Sequence, residues 1–126
     1  MSGALLDTSI LIAADAFLDD LPASAAISIV TLGELHAGVH LARTAEIRQL
    51  RRRRLDATRA AFSPLPVDEP VAERYGEVLA VARREARSAK TTDVLIIATA
   101  AATSRSLHTL DVSQAELARA AGVAIG

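Results

Sequence analysis

Short apolar runs, each passing at once into an acid or hydroxyl and then a helix-patterned stretch, most constrain how this chain folds. Ala4-Leu5-Leu6 runs into Asp7, Thr8 and Ser9. Ala26-Ile27-Ser28-Ile29-Val30 runs into Thr31, and Leu107-His108-Thr109-Leu110 into Asp111. Runs this short and apolar suit strands covered on both faces. Residues 63–67 form an edge strand or extended linker, since Pro64 and Pro66 cannot donate to a ladder, and residues 123–125 form a last strand. Helical patterns fall over residues 8–16, 31–42 and 44–60. A fourth opens at Asp68 or Glu69 and runs to about 88. A fifth is capped by Thr91 or Thr92 and runs to 104, and a sixth has capping-box spacing at Ser113 and Glu116 and ends at 121. Strands alternating with amphipathic helices imply βαβ units. The expectation is α/β: one three-layer α/β/α domain over residues 1–126, with a mainly parallel sheet of four to five strands.

Such a core must be aliphatic. Of 126 residues, 51% are hydrophobic but only 2% aromatic, and Ala supplies 27 positions, so helices lie close to their neighbours. The absence of Cys excludes a disulfide framework, a thiolate nucleophile and a Cys-ligated zinc. The longest apolar run, residues 94–102, falls short of the roughly 20 needed to cross a bilayer. The N-terminus has no basic segment and is interrupted by Asp7, against a signal peptide. A cytoplasmic protein without membrane contact is expected.

A net charge of −1 excludes a simple basic nucleic-acid binder. The average hides a split: no Lys or Arg precedes Arg43, whereas Asp7, Asp15, Asp19, Asp20 and Glu34 do. Between Arg43 and Arg59 stand seven Arg against Glu46 and Asp56. The split implies an acidic centre beside a basic surface. Arg51 to Arg54 read as a solvated helix face, or as a rim that steers phosphates or meets an acidic partner. They cannot all share one face, because helical neighbours are about 100° apart. His36 and His40 have metal-ligand spacing but no third partner, so a surface or core role is expected; His108 reads as a core histidine. No nucleophile elbow and no phosphate- or dinucleotide-binding glycine fingerprint is present.

In an open parallel sheet, ligands bind beyond the carboxyl ends of the strands. Asp7 and Asp111 close strands there, Glu34 lies one turn past the second, and Asp93 opens the fifth helix. Each acid has a structural reading. Asp7 caps a helix; Thr31 and Glu34 form a capping box; Asp93 answers a helix dipole; Asp111 sits in a turn. Together, four converging carboxylates require a compensating cation, and a hard divalent ion such as Mg²⁺ or Mn²⁺ is the economical one. Thr8, Ser9 and Thr109 place hydroxyls nearby to hold a metal water or phosphate oxygen. Lys90, the only lysine, could contact a phosphate.

The sequence Leu5-Leu6-Asp7-Thr8-Ser9-Ile10-Leu11-Ile12 resembles the opening motif of PIN-domain ribonucleases, in particular VapC-type toxins of toxin–antitoxin pairs. Residues 28–35, with Glu34, 92–100, with Asp93, and 107–111, with Asp111, resemble the second, third and fourth motifs. The likeness covers essentially the whole chain. It departs from the family at Ser113 and Gln114, where a second Asp and a Phe are frequent, and at Lys90-Thr91-Thr92, where Arg or Asn is frequent. The resemblance implies a Mg²⁺- or Mn²⁺-dependent endoribonuclease using Asp7, Glu34, Asp93 and Asp111, and a toxin neutralised by a cognate antitoxin. It also implies a homodimer, RNA as substrate, and DNA contact only through the antitoxin. Phe17, Leu18 and Leu21 are candidates for the antitoxin groove, or for the core. Two other readings are an inactive PIN-like module that only binds its partner, and a phosphoacceptor receiver domain, which would need an acidic pair after the first strand.

Overall fold

Strand β1, Ala4–Leu6, decides the layering, because its residues alternate between two cores. Leu5 packs with Val78, Val94, Ile97, Leu107 and Leu117 on one face. Ala4 and Leu6 pack with Leu11, Ile27, Leu35, Val39 and Leu55 on the other. The first core lies under helices α4 (Glu69–Arg84), α5 (Thr91–Ala102) and α6 (Val112–Ala120); the second lies under α1 (Thr8–Ala13), α2 (Ile29–His40) and α3 (Ala45–Ala61). The computed structural model describes residues 3–13, 21, 22 and 24–126. Asp15, Phe17, Leu18, Asp19 and Asp20 lie outside them. Leu21 packs against the second core.

Strand β2, Ser106–His108, pairs parallel with β1, Leu5 opposite Leu107. Single parallel bridges extend the sheet on both sides: Leu5 with Ala26, Ser28 with Leu65, and Leu107 with Ile125. The runs expected as three further strands therefore appear as isolated bridges rather than ladders. The run at 26–30 is cut short because Ser28, which makes the last bridge, also caps a helix: its hydroxyl accepts from the Val30 amide, 3.0 Å. Helix α2 thus begins at Ile29, not Thr31, and Thr31 is buried inside it. The run at 63–67 is reduced to one bridge between Pro64 and Pro66, which lack N–H groups.

The other caps explain the remaining boundaries. Thr44 and Asp68 cap α3 and α4 as their side chains predict, with Pro70 in the first turn of α4. Helix α5 is preceded by Lys90 and has no side-chain cap, so Thr91 and Thr92 stand inside it. Asp111, rather than Ser113 with Glu116, caps α6, and its Oδ1 accepts from the Gln114 amide, 3.2 Å. Helix α4 ends at Arg84 instead of continuing to 88, because Ala86 turns left-handed (φ 53°) and Arg87 bonds back to the Ala82 carbonyl. Gly122 (φ 84°) closes α6 in the same way.

Candidate active site

The carboxyl edge of the sheet gathers the four acids predicted from sequence. Asp7 follows β1 directly and is 5% exposed. Its Oδ2 accepts from the Ser9 amide (3.2 Å), the Ser9 hydroxyl (2.7 Å) and the Thr109 hydroxyl (3.1 Å). The amide contact is the expected helix cap, so the structural and chemical readings of Asp7 coexist. Oδ1 accepts from the Gln114 side-chain amide, 3.3 Å. Glu34 sits mid-way along α2, and its Oε1 accepts from the Thr8 hydroxyl, 2.5 Å. It forms no capping box with Thr31, since Ser28 is the cap. Asp93 lies in the first turn of α5. Asp111 stands three residues beyond β2 rather than closing it, on an exposed turn.

Electrostatics joins all four. Asp93 has its pKa raised, first by burial and then by the negative charges of Asp7, Asp111 and Glu34, with Lys90 opposing. Among the described residues, no three carboxylates or imidazoles already stand together as a closed ligand set. The donor set is nonetheless hard oxygen with excess negative charge. That fits a divalent ion of the Mg²⁺ type, which takes one or two carboxylates and keeps several waters.

The three hydroxyls are hydrogen-bonded within the acidic edge. Thr8 donates to Glu34, and Ser9 donates to Asp7 while accepting from the Leu110 amide, 3.0 Å. Thr109 accepts from the Asp111 amide, 3.0 Å, and its single proton serves Asp7 or the Gln114 carbonyl oxygen, 2.7 Å. Each hydroxyl orients an acid. Gln114, 3% exposed, is the site residue that sequence reasoning missed. Its position in the first turn after Asp111 was the available signal, since that turn faces the same edge.

Two concavities take in the other three acids. A cleft of about 530 Å³ is lined by Arg87, Lys90, Asp93, Asp111, Ser113 and Gln114 among others. A smaller one of about 260 Å³ includes Thr8, Glu34, Arg51 and Arg54. The arginine run is split as helical spacing requires. Arg51 is half-buried and donates to the Gly38 carbonyl (2.8 Å), Arg54 is half-buried, and Arg52 and Arg53 face solvent. His36 and His40 are exposed, as expected, and His108 is half-buried beside Ser106.

A PIN domain family profile matches residues 4–120. The chain belongs to the PIN-domain family. It is of the VapC type: ribonuclease VapC5 of Mycobacterium tuberculosis (strain ATCC 25618 / H37Rv) is 34% identical over 125 residues, covering 96% of this chain and 92% of the relative. Ribonuclease VapC8 of the same organism is 39% identical over 100 residues, covering 76% and 88%. The crystal structure of VapBC-5, a member of the VapBC family of toxin–antitoxin systems from Mycobacterium tuberculosis, superposes with a TM-score of 0.85 at 34% identity, covering 99% of this chain and 98% of that one. FitAcB from Neisseria gonorrhoeae superposes at 0.79 with 29% identity, covering 97% and 95%. Membership of the PIN family sets aside the receiver-domain reading. Among the described residues no helix is long and apolar enough to cross a membrane.

Proposed function

We propose that this PIN-domain chain is a divalent-cation-dependent endoribonuclease and the toxin of a toxin–antitoxin pair. The observation that carries the reading is the field on Asp93, to which Asp7, Asp111 and Glu34 all contribute from separate elements. Four acids held against their mutual repulsion are costly for folding alone and useful for binding a cation. The VapC5 and VapC8 relatives are named ribonucleases, which supports the same chemistry.

Asp7, Glu34, Asp93 and Asp111 would hold Mg²⁺, or Mn²⁺ in its place. When bound, the ion supplies an acidified water and positive charge toward a phosphodiester. Ser9, Thr109 and Gln114 fix the Asp7 carboxylate, and Thr8 fixes that of Glu34. Lys90 and Arg87, on the wall of the larger cleft, attract the RNA backbone toward Asp93 and Asp111. Water attacks phosphorus in line and the P–O3′ bond breaks, leaving a 5′-phosphate on one fragment and a 3′-hydroxyl on the other.

The relatives support an antitoxin partner. VapBC-5 belongs to a toxin–antitoxin family, and a VapBC pair from Rickettsia felis was solved on a promoter DNA fragment. The proposal for this chain is a homodimer in the cytoplasm, held inactive by a cognate antitoxin that carries any DNA contact.

The test is the chemistry of the cut ends. RNA incubated with purified protein and Mg²⁺ is expected to yield ligatable 5′-phosphate and 3′-hydroxyl termini. Fragments ending in 2′,3′-cyclic phosphate would mean attack by the ribose itself and contradict the reading.

A further inference from the structure

Asp7 and Asp111 are 104 positions apart, yet one residue touches both: Gln114 gives its backbone amide to Asp111 Oδ1 (3.2 Å) and its side-chain amide to Asp7 Oδ1 (3.3 Å). Its own carbonyl oxygen accepts from Thr109, 2.7 Å. The orientation of the carboxamide follows from chemistry. An ionised carboxylate only accepts, so the NH₂ must face Asp7, and the oxygen is left to the Thr109 hydroxyl. At 3% exposure the side chain is shielded from bulk solvent.

We propose that Gln114 is a positioning residue that fixes the Asp7 carboxylate for cation binding; the inference rests on the ribonuclease reading above. Oδ2 of Asp7 already meets two donors, the Ser9 amide and hydroxyl. Rotation about the carboxylate bond would exchange the two oxygens. The Gln114 donor, bound to the other oxygen, opposes that rotation. A neutral donor suits the place. Lysine or arginine would neutralise Asp7, and glutamate would add a fifth negative charge to a cluster already strong enough to raise the Asp93 pKa. The amide orients the acid and leaves its charge for the cation.

The test is a double-mutant cycle in Mn²⁺ affinity on metal-free protein, with thermal melting as the check on folding. Gln114→Met keeps length and volume and removes both hydrogen-bonding atoms. Partners that orient metal ligands usually contribute about ten- to a hundredfold in affinity, so Mn²⁺ should bind at least tenfold more weakly to Gln114→Met. In the Asp7→Asn background the same change should cost nothing further. Wild-type affinity in Gln114→Met, or an equal loss with and without Asp7, would overturn the proposal. Should Gln114→Met not fold, the protein with Gln114 intact decides, compared with and without Asp7→Asn. Its Gln114 side-chain amide protons should exchange slowly and shift on Asp7→Asn, and exchange at the solvent rate would overturn the proposal. A chain that binds Mn²⁺ as described but leaves RNA intact removes the ribonuclease reading alone, and one that binds no Mn²⁺ removes both.

Discussion

Asp93 stands half-buried at the start of α5 with three acids acting on it, and the cost has a sign that can be worked out. Its folded pKa lies above its unfolded one. Below both values the two states hold the proton equally. As pH rises from the ordinary aspartate range through the raised value, the unfolded chain ionises first and folding stability falls; above that window the full penalty remains. In divalent-free buffer at neutral pH, Asp93→Asn is therefore expected to melt at a higher temperature than the wild type. The gap should close as pH falls below the ordinary aspartate range. A lower melting temperature for the variant would show that burial and the neighbouring acids do not penalise the Asp93 charge as described. Asp7 was legible from sequence because residue type and strand-end position coincide, whereas Glu34, Asp93 and Asp111 stand within or before helices. Gln114 was not, since a glutamine has no chemistry of its own to announce, and only its reach from α6 to Asp7 gives it a role. The hydroxyls of Thr8, Ser9 and Thr109 stand beside the acids, and their hydrogen bonds to them were not legible, because position along the chain does not say where a proton goes.

At the level of elements, the misread boundary is informative. Ile29 and Val30 are β-favouring residues, so the run from 26 to 30 reads as one strand followed by a helix capped at Thr31. Two hydrogen bonds decide otherwise. Ser28 accepts the Val30 amide and ends the extended run after a single bridge to Leu65, and Ile29 donates to the Leu65 carbonyl at 2.8 Å. Thr31 is left fully buried with its hydroxyl unpartnered. Ser28→Ala should cost about 1 kcal/mol of stability. Thr31→Val, which removes an unsatisfied polar atom at nearly constant shape, should be neutral or stabilising by about 1 kcal/mol. Urea denaturation of the two variants checks both, and the reverse order would restore Thr31 as the cap. The consequence reaches the site, because a helix starting at Ile29 releases Glu34 from any capping role and leaves it to Thr8.

Over the whole molecule, the alternation of apolar runs with amphipathic helices was enough to read the α/β class and the placement of helices on two sides of a parallel sheet. Strand length was not legible, because each extended run is stopped by a cap or a proline rather than by its apolar pattern. The charge split was legible in outline, an acidic edge with Arg51 and Arg54 to one side and Arg87 and Lys90 to the other. The central claim is that this edge is a cation-dependent ribonuclease centre. The most direct measurement is cleavage of end-labelled total RNA by purified protein in Mg²⁺, in Mn²⁺ and in EDTA, beside Asp7→Asn purified identically. The account predicts discrete cuts that require the divalent ion and disappear in the variant. Cleavage that survives EDTA or the Asp7→Asn substitution, or intact RNA in every metal with folded protein free of partner, would contradict it.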